Sequence, residues 1–162
     1  MTDKINDKFK ILLQVNLYFI VSFFIAYALN INSVKPIINP TKINSSEWFF
    51  TIISRNTISF LFILSSILLG KCMINIYLLS NGAILGLLVS KLKNINYLLL
   101  ILPHGVVEIP IYITLCYLVI KIINNKYINK SDIKMIFLCY LIIILAALIE
   151  SFITPYFIQY II

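Results

Sequence analysis

An all-α bundle of about five membrane-spanning helices is the fold this sequence predicts, and three observations predict it. The chain is 61% hydrophobic over 162 residues, whereas a soluble domain is nearer ~45–50%. Its apolar residues gather in runs close to the ~20 needed for a helix to cross a bilayer. Most of the charged residues stand at the ends of those runs or between them. A soluble fold of this composition would lack the polar surface to cover itself. Barrel strands are shorter and alternate polar with apolar residues, which these runs do not.

Each element follows from a run and its boundaries. The first span covers about 9–29, after a polar, basic start with Lys4, Lys8 and Lys10. A polar link with Pro36 and Pro40 leads to the second span, about 48–69, which opens on Trp48. Gly70-Lys71 marks a tight turn into the third span, about 72–90, and Lys91 and Lys93 close it. The fourth covers about 97–120, a basic link with Lys121, Lys126, Lys130 and Lys134 follows, and the fifth covers about 135–158. The chain reads as one transmembrane domain, residues 1–162, with no soluble domain, repeat or low-complexity tract. The first run is too long for a cleavable signal and has no A-x-A site, so it is expected to remain as a helix.

An odd number of spans puts the termini on opposite sides. With the N-terminus inside, the inner segments hold eight lysines and the outer ones four, namely Lys35, Lys42, Lys91 and Lys93. That bias predicts an inside N-terminus and an outside C-terminus in a bacterial cytoplasmic membrane. The net charge of +7 is accounted for by these boundary lysines, which read as topology signals and lipid-headgroup contacts. No basic surface remains to suggest nucleic acid. Cys72, Cys116 and Cys139 are scattered, form no C-x-x-C pair, and read as small packing residues.

The informative stretch is Leu102-Pro103-His104-Gly105-Val106-Val107-Glu108-Ile109-Pro110, which carries the only histidine and one of six acids within an apolar run. An ionisable group at the bilayer centre costs about 3 kcal/mol on insertion scales. His104 and Glu108 stand at i and i+4 and share a helical face. Pro110 disrupts the backbone hydrogen bond one turn earlier, and broken helices at membrane depth line cavities. Gly105 is expected to admit a neighbouring helix closely. Glu150, also ahead of a proline, and Arg55 are the other charges well inside spans, with Asn56, Asn81 and Gln14 adding polar capacity. At ~1.5 Å per residue these groups fall in the middle or outer half of the bilayer.

Two carboxylates and an imidazole, Glu108, Glu150 and His104, are the candidate catalytic residues and the candidate ligands of a divalent metal, zinc first. The zinc-protease pattern H-E-x-x-H is absent. Arg55 and Asn81 are candidates to stabilise an oxyanion or contact substrate. The competing reading makes the same residues a polar cluster that staples helices together. Gly82 and Gly86 form a small-x-x-x-small pair, expected to pack tightly against another helix.

Asn81-Gly82 and Gly86, then Pro103-His104-Gly105-x-x-Glu108-x-Pro110, then Glu150 with Thr154-Pro155 resemble the stage II sporulation protein M family over roughly residues 48–158. That resemblance implies a small polytopic membrane protein in one of two settings. Sporulation members act in engulfment, with partners that remodel peptidoglycan. Shorter relatives are encoded with circular bacteriocins and are needed for their production. A short chain with compact links is more similar to the second group. The expectation is therefore leader cleavage or head-to-tail cyclisation of an apolar precursor peptide, by an intramembrane metallopeptidase or cyclase. The alternatives are a non-enzymatic scaffold, a transport or immunity subunit, or an engulfment protein. Expected partners are the precursor peptide, membrane lipids, other membrane subunits and a second copy of the chain.

Overall fold

The computed structural model describes residues 2–30, 45–91 and 104–154, with side chains from Phe9 onward in the first stretch and from Gly105 onward in the last. The described residues form five α-helices: α1 (Thr2–Asn30), α2 (Ser45–Leu69), α3 (Lys71–Ser90), α4 (Ile109–Asn125) and α5 (Lys130–Phe152). A single π-helical turn, His104–Glu108, leads into α4. All five are long and apolar enough to cross a membrane when the π-turn is counted with α4.

Local chemistry sets the boundaries. Gly70 separates α2 from α3 with φ +94°, a left-handed conformation that a side chain would strain. Its N–H donates to the Ser66 carbonyl at 2.8 Å and closes α2. Pro110 falls at the start of α4, directly after the π-turn, and with no N–H it cannot donate back to that turn. Lys126, also left-handed at φ 58°, ends α4 by donating its N–H to the Ile122 carbonyl at 2.9 Å. The Asp132 carboxylate accepts the Asn129 N–H at 3.3 Å and the Lys121 ammonium at 2.6 Å. That pairing starts α5 at Lys130, ahead of the apolar run that begins near Met135, and ties it to the end of α4. α1 likewise begins at Thr2, before the apolar run near Phe9. Hydropathy marks only the part of each helix that lipid can cover.

Side-chain registers fix the packing directions. The tight turn at Gly70 folds α3 back antiparallel along α2, with Phe62 against Tyr77, and Tyr77 also meets Tyr112 of α4. Phe49 meets Phe152 and Phe60 meets Tyr140, so α5 runs antiparallel to α2. α2 and α4 thus lie side by side and parallel, with α3 on one flank and α5 on the other. α1 packs along α3. Ile63, Ile74, Leu115, Val119 and Ile143 are fully buried between the central helices. The outside is apolar as well: Leu68 is 90% exposed and Phe50 and Ile58 each 67%, a surface suited to lipid rather than water.

The Gly82 and Gly86 pair packs as the sequence predicts. A Cβ at Gly82 would strike Ser22 Oγ and the Phe19 carbonyl, and one at Gly86 would strike the Phe23 carbonyl. Those contacts carry the α1–α3 interface. Gly105 corrects the sequence expectation. No described atom lies within 4 Å of where its Cβ would be, so among the described residues no neighbour makes use of the missing side chain there.

Candidate functional site

The π-turn ends on Glu108, whose side chain is fully buried. A π-turn inserts an extra residue into the helical ladder and re-aims the side chains around it. The Asn56 Nδ2 amide, from the middle of α2, donates to Glu108 Oε1 at 2.7 Å. One turn further along α4, the Tyr112 hydroxyl donates to the Asn56 backbone carbonyl at 3.2 Å. Asn56 and Tyr112 are both buried. The three residues form a polar brace between the central helices. In a low-dielectric interior a satisfied bond of this kind is worth having, because leaving either partner unmatched costs about 1–3 kcal/mol.

A cavity of about 50 Å³ adjoins the brace. Asn56, Ser59, Tyr77, Asn81 and Tyr112 supply its polar lining, and Phe19, Leu78, Leu85, Ile109 and Ile113 the apolar part. One water needs about 10–15 Å³ by this kind of measure, so the cavity has room for a few waters and several groups to bind them. The Asn81 Nδ2 amide donates to the Tyr77 carbonyl at 2.9 Å. Tyr77 and Tyr112 rings lie 5.7 Å apart between centroids. The brace sits deep: Glu108 precedes Lys121 by 13 residues, which is about 20 Å along the helix axis.

The predicted site residues fall into distinct places. Glu108 is at the centre, and Asn81 lines the same cavity as Glu108's partner Asn56. Arg55 is exposed on α2. A step of one residue turns the side chain by about 100°, which separates it from the inward Asn56. Glu150 is half-buried near the end of α5. The pairing of Phe49 with Phe152 sets Glu150 level with Thr51, five residues or about 8 Å along the axis from Asn56. The π-turn also packs against α5. The His104 side chain lies outside the described residues. Among the described residues no group of three His, Cys, Asp or Glu side chains stands close enough to hold a metal.

Three residues of the site were not picked out from the sequence. Tyr112 stands four after Glu108, Tyr77 four before Asn81, and Ser59 three after Asn56. Each shares a helical face with a polar residue that was noticed, and that spacing was the available signal.

Other parts of α5 add polar contacts of ordinary kinds. The Ser151 hydroxyl donates to the Ala147 carbonyl at 2.6 Å, and the Thr57 and Tyr140 hydroxyls are 3.2 Å apart. Thr154 Oγ1 is buried without a hydrogen-bond partner among the described residues.

No curated protein and no solved structure matches this sequence. The family model for stage II sporulation protein M matches residues 15–155, from within α1 to just beyond α5. With five membrane-length helices in one bundle, this is a multi-pass membrane protein that belongs to the stage II sporulation protein M family.

Proposed function

We propose that this protein acts in circular bacteriocin biosynthesis, in the membrane, on the apolar precursor peptide. The Glu108–Asn56 pair is the observation that carries the site: a fully buried carboxylate, bonded at 2.7 Å to an amide that lines a polar cavity. The family and the compact links between α2 and α3 and between α4 and α5 support the setting. In this reading the π-turn, followed directly by Pro110, interrupts the helical ladder at the start of the fourth span, and the interruption opens the polar site. The lysine distribution supports an N-terminus inside and a C-terminus outside.

Leader removal is attack of water on the scissile carbonyl, which releases the leader carboxylate and a new N-terminal amine; ring closure is attack of that amine on the C-terminal carboxyl carbon, which expels water. Glu108 supplies a general base, a role typically worth 10²–10⁴ in rate. Asn81, across the cavity, supplies a donor for the developing oxyanion. Glu150 and His104 are the other two candidate catalytic groups. A divalent cation shared by His104, Glu108 and Glu150 is the other form of the same site, and metal analysis of the purified protein decides between them. No step of the base reading runs through a metal.

Expression with a precursor peptide, read by mass spectrometry, tests the proposal. Removing the protein should leave linear precursor and no ring. Glu108→Gln and Glu150→Gln should each reduce ring formation while the protein remains in the membrane. Full processing by both variants would sink the catalytic reading.

One observation favours a second reading. Asn56 and Tyr112 hold Glu108 in a closed brace between α2 and α4, which is also what a scaffold or transport subunit would need. In that case Glu108→Gln, which keeps an acceptor for Asn56, retains full function, and only Glu108→Ala loses it.

A further inference from the structure

The lysines at one end of the bundle stand at two levels. α1 and α3 are parallel, with Phe19 beside Gly82 and Phe23 beside Gly86, so Lys10 is level with Met73 and close to Lys71. Tyr77 against Tyr112 puts Lys71 near the height of Leu118. Lys121 and Asp132 pair directly, and the same α4–α5 register brings Lys134 level with Val119. Lys10, Lys71, Lys134 and Lys121 therefore form a belt about five residues, or roughly 7 Å, deep, where the apolar sides of the helices end, with Lys121 at its outer edge.

The α4–α5 tip rises beyond that belt. From Lys121 to Lys126 is five residues, about 7 Å of rise. The headgroup region on each side of a bilayer is about 5–7 Å thick, the same span as this rise. The tip presents Lys126 and Lys130 exposed, with Tyr127 58% and Ile128 50% exposed between them. The tip is also held rigidly. Lys126 closes α4, Asp132 caps α5, and Lys121 ties the two helices together. Because Lys121 occupies Asp132, the nearby acid does not offset Lys126 or Lys130. On α1, by contrast, Asp3 and Asp7 lie beside Lys4 and Lys8 in sequence.

We propose that the α4–α5 tip is a binding site for anionic phospholipid headgroups, with Lys126 and Lys130 taking the phosphate and Tyr127 and Ile128 seated among the glycerol and upper acyl groups. Amphipathic rings favour that level. Each lysine near an anionic surface contributes about a fivefold preference at low salt. This site is separate from the Glu108 cavity, and neither proposal depends on the other.

The test is lipid-selective quenching in proteoliposomes. Tyr127→Trp in a Trp48→Phe background places the single tryptophan at the tip. Brominated phosphatidylglycerol should quench it more than brominated phosphatidylcholine at equal mole fraction. Lys126→Gln with Lys130→Gln should lower that lipid preference by about tenfold or more. Inorganic phosphate at millimolar level should leave it unchanged. Equal quenching by the two lipids, no quenching by either, a preference that survives the double substitution, or loss of preference on adding inorganic phosphate would each overturn the assignment.

Discussion

At the residue scale the protein is organised around one carboxylate. Glu108→Ala leaves the Asn56 amide without its acceptor, and about 1–3 kcal/mol of stability should be lost. Glu108→Gln keeps an acceptor of similar shape and should stay near the parent Tm. Thermal denaturation in detergent of the two variants side by side checks this. Equal losses would mean that the carboxylate charge, not the bond to Asn56, holds the helices. Glu108 itself was legible in the sequence, since an acid in an apolar run stands out. Its partner was not. Arg55 and Asn56 are adjacent, and which one faces inward depends on the rotation of α2. A helix that is apolar nearly all round has no polar face to fix that rotation in advance. Packing against α4 and α5 decides it, through contacts such as Phe60 with Tyr140.

Among the elements, the α1–α3 interface is set by backbone approach. Gly82→Ala or Gly86→Ala places a methyl group against a carbonyl of α1, and backbone cannot move aside as a flexible side chain can. Either substitution should separate α1 from α3 and lower the Tm, whereas Gly105→Ala should be neutral or slightly stabilising. Comparing the three Tm values tests this, and a Gly105→Ala loss as large as the Gly86→Ala loss would contradict it. The glycine spacing on α3 was readable because small residues one turn apart have a direct packing consequence. The start of α5 was not. Its first turn is polar and is held by the Asn129–Asp132 contact and by Lys121, none of which raises hydropathy. Lys121→Met should weaken the hairpin by up to about 1 kcal/mol, as for a partly exposed pair.

For the whole molecule, the number of spans, the all-helical class and the family were legible, because bilayer thickness converts directly into run length. The lysine distribution predicts an inside N-terminus and an outside C-terminus, and the native cysteines test that orientation without new labels. Cys72 is exposed, next to the turn at the basic end, while Cys116 and Cys139 are buried. In intact cells an impermeant maleimide should leave all three unmodified, and in permeabilised cells it should modify Cys72 alone. Labelling of Cys72 in intact cells would reverse the orientation.

The buried Glu108 is the proposed working group of peptide maturation. The most direct measurement of that role is the yield of circular peptide, by mass spectrometry, from cells carrying Glu108→Gln at parental membrane levels. A fall of about 100-fold or more is expected, the low end of what a general base supplies. Circular peptide at the parental level would contradict it.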